Sequence, residues 1–373
     1  MKILQITNYF PPHIGGIEKV SYDVANILSK EHEVVNLCFN DSKNYKEELC
    51  DDNLVIRCKV WTKISSQQIS FDFKKVLKRI AREFNPDVIH FHYPNPLQAY
   101  HLLKILDKRK DIKLIIHYHL DITKQKILKH LFTNQTKKLL DRAVKVIATS
   151  PNYVEGSQFL TLVKDKVKII PNTFNEKLLH PNDNVLKLVN EIKEKYKDKY
   201  LVFFVGRHVS YKGLIYLIKA TKFLSDDYRI VIAGQGPLTF QLSQNINPII
   251  EFIGSIDDDM KLAYLMSCDC FAFPSISKNE AFGIALLEAM VAKKPSVTFR
   301  VNGSGISYVC PKGVCGLEAR LYDYRELASN ITKICEDNEL NEMLGANAYN
   351  RALRLFSIDN FNNLILRLYK DEI

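Results

Sequence analysis

Two glutamates, Glu280 and Glu288, bracket the segment EAFGIALLE within SKNEAFGIALLEAM. A helix is predicted to start near Gly283, which puts Glu288 on its second turn. At ~100° per residue the two carboxylates are offset by ~80° around the axis, so both can face one bound ligand. Between them, the free N–H groups of Phe282, Gly283 and Ile284 can meet an anion at the helix start. One carboxylate can accept from sugar hydroxyls and the other from ribose hydroxyls, with phosphate between. A capped amphipathic helix with acidic residues near its start accounts for the same residues without a ligand. In VGRHVSYKG, Arg207 offers a planar fork and Lys212 a point charge, a pair suited to a pyrophosphate. That segment is not G-x-x-x-x-G-K-[ST], which excludes an ATPase P-loop. In PPHIGGIEKV, Gly15 and Gly16 let the backbone approach a ligand before a helix beginning near Ile17. It is not G-x-G-x-x-G, so a nicotinamide cofactor is unsupported. In HYHLD, His117 and His119 share one face and Asp121 follows. No third ligand has metal-site spacing, and structural hydrogen bonding competes with catalysis for these histidines. GQGPL reads as architecture, and Asp257-Asp258-Asp259 as the start of a helix.

These residues need elements to hold them at strand ends. Short Val/Ile-rich runs are predicted as strands at 2–7, 33–39, 54–58, 87–92, 113–119, 144–150 and 166–171. A second series covers 201–206, 229–234, 249–254, 269–274 and 295–299. Near-continuous apolar strands separated by helical stretches predict parallel sheets covered on both faces. The fold expected is α/β, with two Rossmann-like domains facing a central cleft. Ligands in such sheets lie beyond the carboxyl ends of the strands. The expected division is 1–175, a linker at 176–198, a second domain at 199–355, and a C-terminal helix at 356–373 returning to the first.

The chain has 373 residues, too many for one ordinary core. Its 46% apolar and 25% charged residues exclude a disordered or fibrous protein. No run approaches the roughly 18 apolar residues of a membrane span, and the N-terminus lacks signal-peptide features. Eight cysteines without a CxxC pair read as reduced thiols of a cytoplasmic protein. The net charge of +10 is uneven: residues 71–145 carry 17 Lys+Arg against 7 Asp+Glu. Lys/Arg recur there beside Leu/Ile at helical spacing. That is either a solvated face or a footprint for an anionic surface. No nucleic-acid-binding signature accompanies it, so no nucleic acid partner is expected.

Taken together, PPHIGGIEKV, HYHLDITKQK, IIPNTFN, VGRHVSYKG, AGQGPL and EAFGIALLEAM resemble the retaining GT-B glycosyltransferases of family 4, in family order. YHLDITKQK and RHVSYKG resemble the branch that builds bacterial surface polysaccharides, including mannosyltransferases. The resemblance implies an enzyme that moves a hexose from a nucleotide-diphosphate sugar to a polyprenyl-diphosphate-linked glycan, in O-antigen or capsule synthesis. Mannose from GDP-mannose is the first choice of donor and a UDP-hexose the second. A nucleotide-sugar epimerase and a non-catalytic membrane-associated scaffold remain as alternatives. By position, Arg207 and Lys212 would hold the donor pyrophosphate, Glu288 the ribose and Glu280 the donor sugar. The amides of Phe282, Gly283 and Ile284 would support sugar and phosphate. Gly16 would let its loop approach the phosphates, and His119 would contact the sugar near its 6-position. No cofactor and no metal are implied, because Arg and Lys take the metal's place. The resemblance places the protein in the cytoplasm, peripheral on the inner leaflet, with residues 71–145 against acidic lipid. Asn175 departs from the Asp common in relatives, Ala281 from a frequent Gly, and Leu120 from a small residue.

Overall fold

A computed structural model describes residues 1–13, 15–40, 42, 44–64, 67–122, 129–244 and 246–373. The chain divides into two compact units, Met1–Ile170 with Phe361–Ile373, and Pro171–Asn360. Unit 1 contains, in order, β1 (Lys2–Ile6), α1 (Gly16–Leu28), β2 (Glu33–Phe39), β3 (Lys46–Cys50), β4 (Asn53–Cys58), β5 (Thr62–Ile64) and β6 (Gln67–Ile69). It continues with α2 (Asp72–Glu83), β7 (Val88–Tyr93), α3 (Pro96–Leu106), β8 (Lys113–Tyr118), α4 (Lys129–Arg142), β9 (Lys145–Ala148), α5 (Pro151–Gly156) and β10 (Val167–Ile169). Its eight-stranded sheet has the order β10-β9-β8-β7-β1-β2-β4-β3. All pairings are parallel except β3 with β4. Parallel strands are buried on both faces, which is why β2 and β7 read as apolar runs. Helix α2 buries Phe73, Val76, Leu77, Ile80 and Ala81, one stripe at helical spacing, and turns its lysines outward.

Unit 2 contains α6 (Asp183–Lys195), β11 (Tyr200–Val205), α7 (Leu214–Ala220), β12 (Tyr228–Ala233), α8 (Thr239–Leu242), β13 (Ile250–Gly254) and α9 (Asp258–Ser267). Then come β14 (Cys270–Phe273), α10 (Ile284–Val291), β15 (Ser296–Phe299), α11 (Ile306–Val309), β16 (Gly316–Ala319), α12 (Tyr324–Glu336) and α13 (Asn338–Phe356). Its sheet is wholly parallel, ordered β13-β12-β11-β14-β15-β16. Strand succession runs outward one way from β11, then restarts at β14 and runs outward the other way. That is the doubly wound arrangement, and it opens a crevice at the carboxyl ends of β11 and β14. The last helix, α14 (Ile358–Asp371), enters unit 1 from Phe361 onward.

Both sheets confirm the expected α/β architecture. The stretch at 176–198, read above as a linker, carries α6, whose Val185, Val189 and Ile192 are buried in the core of unit 2. Asn182 caps that helix by accepting from Val185 N at 2.9 Å. Three features were not foreseen: the polar edge strand β3, the β5–β6 hairpin and the short β16. None has the apolar run that marks the others. The basic stretch at 123–128 lies outside the described residues. All eight cysteines are free thiols.

Candidate functional site

The crevice of unit 2 is built by the two loops that leave β11 and β14. Arg207, exposed, follows β11 after one glycine, Gly206. A short 3-10 turn, Ser210–Lys212, then ends on Gly213 in the left-handed conformation, φ 67°. A Cβ at Gly213 would stand 2.0 Å from the carbonyl oxygen of Pro274, in the loop after β14. Glycine therefore lets the two loops touch, and Ile276 N donates to Tyr211 O at 2.9 Å across the join. This close approach carries Lys212 to Glu280.

Lys212 Nζ lies 2.5 Å from Glu280 Oε2, and Ser275 Oγ donates to the same oxygen at 3.2 Å. The Lys212 ammonium also stands 4.8 Å from the centre of the Phe273 ring. The side chains of Lys212 and Glu280 are only 13% and 12% exposed. Glu280's backbone is held as well: its carbonyl accepts from Ser304 Oγ at 2.6 Å and Gly305 N at 3.2 Å. Helix α10 begins only at Ile284, with Gly283 as its N-cap. Glu280 is thus in the loop and not on the helix, and the ~80° offset expected from a continuous helix does not describe the pair. Its direction is set by Lys212, Ser275 and Ser304.

Glu288 does lie on the second turn of α10. Its Oε1 accepts from Lys261 Nζ at 2.9 Å, a lysine supplied by α9. Lys261 also pairs with Asp258 at 3.0 Å. Burial pulls the Lys261 ammonium down, but Glu288 and Asp258 outweigh it and hold its pKa above the ordinary value. Asp257 caps α9 by accepting from Met260 N at 2.8 Å, so the acidic run is a helix start, as read. At the head of α10, the N–H groups of Phe282, Gly283 and Ile284 have no acceptor among the described residues. The Phe282 ring is buried edge-on against Phe356, which fixes the backbone there. GQGPL is architectural: a Cβ at Gly236 would stand 2.4 Å from His208 O. Chemically, the crevice offers two charge-balanced carboxylates, a lysine, an exposed arginine and a row of free amides. Such a set can accept hydroxyls and receive a diphosphate.

In unit 1, Gly16 is the exposed first residue of α1, after β1. His119 follows β8 and is buried. It belongs to a cluster of four histidines that the sequence reading did not see. His90 and His92 come from β7, and the parallel register sets His92 beside His117. His92 Nδ1 lies 3.0 Å from His119 Nε2, and His90 Nδ1 lies 2.8 Å from the hydroxyl of Tyr369 on α14. Burial lowers the pKa of His119 to about 3, so its imidazole is neutral near pH 7. Asp121 accepts from the hydroxyls of Tyr118 at 2.8 Å and Ser157 at 2.7 Å, a structural role.

The residues that sequence reasoning missed are Lys261, Ser275, Ser304, His90 and His92. Ser275 reaches Glu280 within one loop, while the others act on partners distant in sequence that the packing of strands, helices and loops brings together.

A family profile described as Glycosyltransferase Family 4 matches residues 14–177, and one described as Glycosyl transferases group 1 matches residues 188–351. The chain is 28% identical to O-antigen chain mannosyltransferase C of Escherichia coli, over 99% of this chain and 98% of that one. It is 27% identical to the D-rhamnosyltransferase WbpZ of Pseudomonas aeruginosa, over 96% of this chain and 92% of that one. Among solved structures it resembles Anabaena Alr3699/HepE in complex with UDP and glucose, with TM-score 0.80 and 19% identity over 99% of both chains. At that identity the likeness establishes the GT-B fold.

Proposed function

We propose that this chain, which belongs to glycosyltransferase family 4, transfers mannose from GDP-mannose to a polyprenyl-diphosphate-linked glycan in the synthesis of a bacterial surface polysaccharide. The observation that carries the reading is the Lys212–Glu280 pair at the crevice of unit 2. It joins a phosphate-seeking cation to a hydroxyl-seeking carboxylate at the point where the strand order reverses. Mannose as the sugar and a surface glycan as the product draw their support from the similarity to the O-antigen chain mannosyltransferase along nearly the whole chain.

In this reading Arg207 and Lys212 bind the donor pyrophosphate. As the C1–O bond to phosphate breaks, they neutralise the charge that develops on the leaving oxygen. Glu280 accepts from hydroxyls of the donor sugar, and its contact with Lys212 keeps the two in register. Glu288, oriented by Lys261, accepts from the ribose hydroxyls. The amides of Phe282, Gly283 and Ile284 support sugar and phosphate. From unit 1, Gly16 admits the phosphates and neutral His119 touches the sugar near its 6-position. The acceptor oxygen attacks C1 on the face the phosphate leaves, and the departing phosphate takes the acceptor's proton. The anomeric configuration is retained without a protein nucleophile. The acceptor-bearing membrane is met by the basic face of residues 71–145.

Thermal unfolding with GDP, UDP, ADP and NAD tests the donor. At 100 times its dissociation constant a ligand adds about 2.7 kcal/mol, a rise of roughly 5–10 °C for a unit the size of Pro171–Asn360 unfolding by itself. GDP alone is expected to give it. A rise with UDP alone replaces mannose with a UDP-hexose, and no rise with any nucleotide overturns the assignment of the site.

A further inference from the structure

The histidine cluster of unit 1 determines which nitrogen of His119 carries its proton. A neutral imidazole has one donor nitrogen and one acceptor nitrogen. His92 uses Nδ1 toward His119 Nε2 at 3.0 Å, while its Nε2 is enclosed and has no partner among the described residues. Two arrangements are open. If the His92 proton were on Nε2, a buried N–H would be left unpaired, a state that folded proteins rarely tolerate. With the proton on Nδ1, the orphan is a lone pair and the N–H is satisfied. The same logic applies next door. His117 Nε2 is also enclosed without a partner, so its Nδ1–H faces His90 Nε2 at 3.4 Å. His90 Nδ1–H then donates to the Tyr369 hydroxyl at 2.8 Å. One consistent set of protons runs through both pairs.

The same cluster invites a metal, since ring nitrogens of His90, His92 and His117 lie within 4.8 Å of one another. The rings argue otherwise. His92 stacks on His90 and on His117 at interplanar angles of 21°, and His117 on His119 at 10°. Lone pairs lie in the ring plane, so stacked rings do not aim them at one point.

We propose that His92 is a positioning residue: its Nδ1–H donates to His119 Nε2 and holds His119 as the Nδ1–H form. His119 then presents an N–H donor, and not a lone pair, to an oxygen of the donor sugar. The functional half of this inference rests on the assignment of His119 to the sugar given above; the tautomer half stands on the cluster alone. The histidines at 117 and 90 carry the same pattern to Tyr369, so the C-terminal helix closes the far end of the network.

Long-range proton–nitrogen correlation spectra of the 15N-labelled full chain read the tautomers directly. The expected result is a protonated Nδ1 and a bare Nε2 for His119. A protonated Nε2 in the wild type overturns the proposal. Two variants then read function through the slow hydrolysis of GDP-mannose, or of the UDP-hexose if UDP is the nucleotide that binds. His92→Leu removes the donor and is expected to lower kcat about tenfold, a typical effect of an orienting partner, with KM little changed. His92→Asn keeps an N–H at the same place and is expected to recover most of the loss. Wild-type kcat in a folded His92→Leu protein overturns the positioning role. Should the leucine variant fail to fold, the wild-type spectrum and the asparagine variant decide. Full activity in His119→Ala overturns the sugar assignment instead, and leaves the tautomer result to stand by itself.

Discussion

Lys261 neutralises Glu288 from a different helix, across 27 residues of sequence, and with Asp258 on its other side it is fully committed. Both members of the Lys261–Glu288 pair are less than one-fifth exposed. Removing one side of a largely buried pair costs about 3 kcal/mol, because the charge left behind has lost its compensation. Lys261→Met keeps most of the side-chain volume and removes only the ammonium. It is expected to lower stability in urea by about that amount and to weaken GDP binding about tenfold, or ~1.4 kcal/mol. If Glu288 acts on the ribose, KM should rise with kcat nearly kept, the mark of lost uniform binding. A stability loss with unchanged GDP affinity, measured by titration calorimetry, would show that Glu288 touches no nucleotide. The double variant Lys261→Met/Glu288→Gln should regain stability without regaining affinity.

The elements that carry these side chains are joined by one glycine, and its replacement tests whether the join matters. In Gly213→Ala the new methyl meets the Pro274 carbonyl at 2.0 Å, at a φ of 67° that alanine disfavours. Backbone strain of this kind costs about 1–3 kcal/mol, and the clash is relieved only by parting the two loops. Lys212 should move from Glu280, so the GDP-induced rise in melting temperature should shrink along with stability. A variant that loses stability yet keeps the whole rise would mean that the loop contact does not place Lys212. At this scale the sequence was informative where one strand speaks for itself. The apolar runs of β2, β7, β8 and β11 are legible because a parallel strand buries both faces. KEELC of β3 was not, since an antiparallel edge strand with polar side chains lacks that run. Glu280, Glu288, Arg207 and Lys212 stand out in the sequence by residue type and by place after strands or early in a helix, and the structure sets Lys212 against Glu280. The relation of Glu280 to Glu288 is not legible there, because helical geometry holds only from Ile284 onward and Glu280 lies before it. His92 was invisible as a partner of His119, because only strand order and register set β7 beside β8.

For the whole molecule the telling quantity is where charge stays unspent. Unit 1 holds the net positive charge, yet its basic residues differ in what they can offer. Arg79 bonds Tyr45 at 2.6 Å and pairs with Glu47, and Arg109 is engaged by Asp111, Asn85 and the Ala81 carbonyl. Lys74 and Lys78 of α2 face Lys104 of α3 and Lys108 beyond it across one groove of about 680 Å³. None of these four has a carboxylate at ion-pair distance among the described residues. Two of them act on His101 in the same groove: burial lowers its pKa first, and Lys74 and Lys104 lower it further. No helix among the described residues is long and apolar enough to cross a membrane; an exposed basic face of this kind can meet acidic lipid from outside. Each lysine near an acidic leaflet contributes about 1 kcal/mol. Changing Lys74, Lys78, Lys104 and Lys108 to Gln is therefore expected to weaken binding to phosphatidylglycerol vesicles about a thousandfold at low salt, at ~1.4 kcal/mol per decade. Binding of the wild type should fall steeply with added salt, since the charges are exposed and screened within about 10 Å at 0.1 M. The same four changes should leave the GDP-induced rise in melting temperature intact, because none of the four lysines is among the residues proposed to hold the donor. Vesicle sedimentation separates the cases. Equal sedimentation of variant and wild type would remove this groove from the membrane face and leave its lysines as a solvated surface.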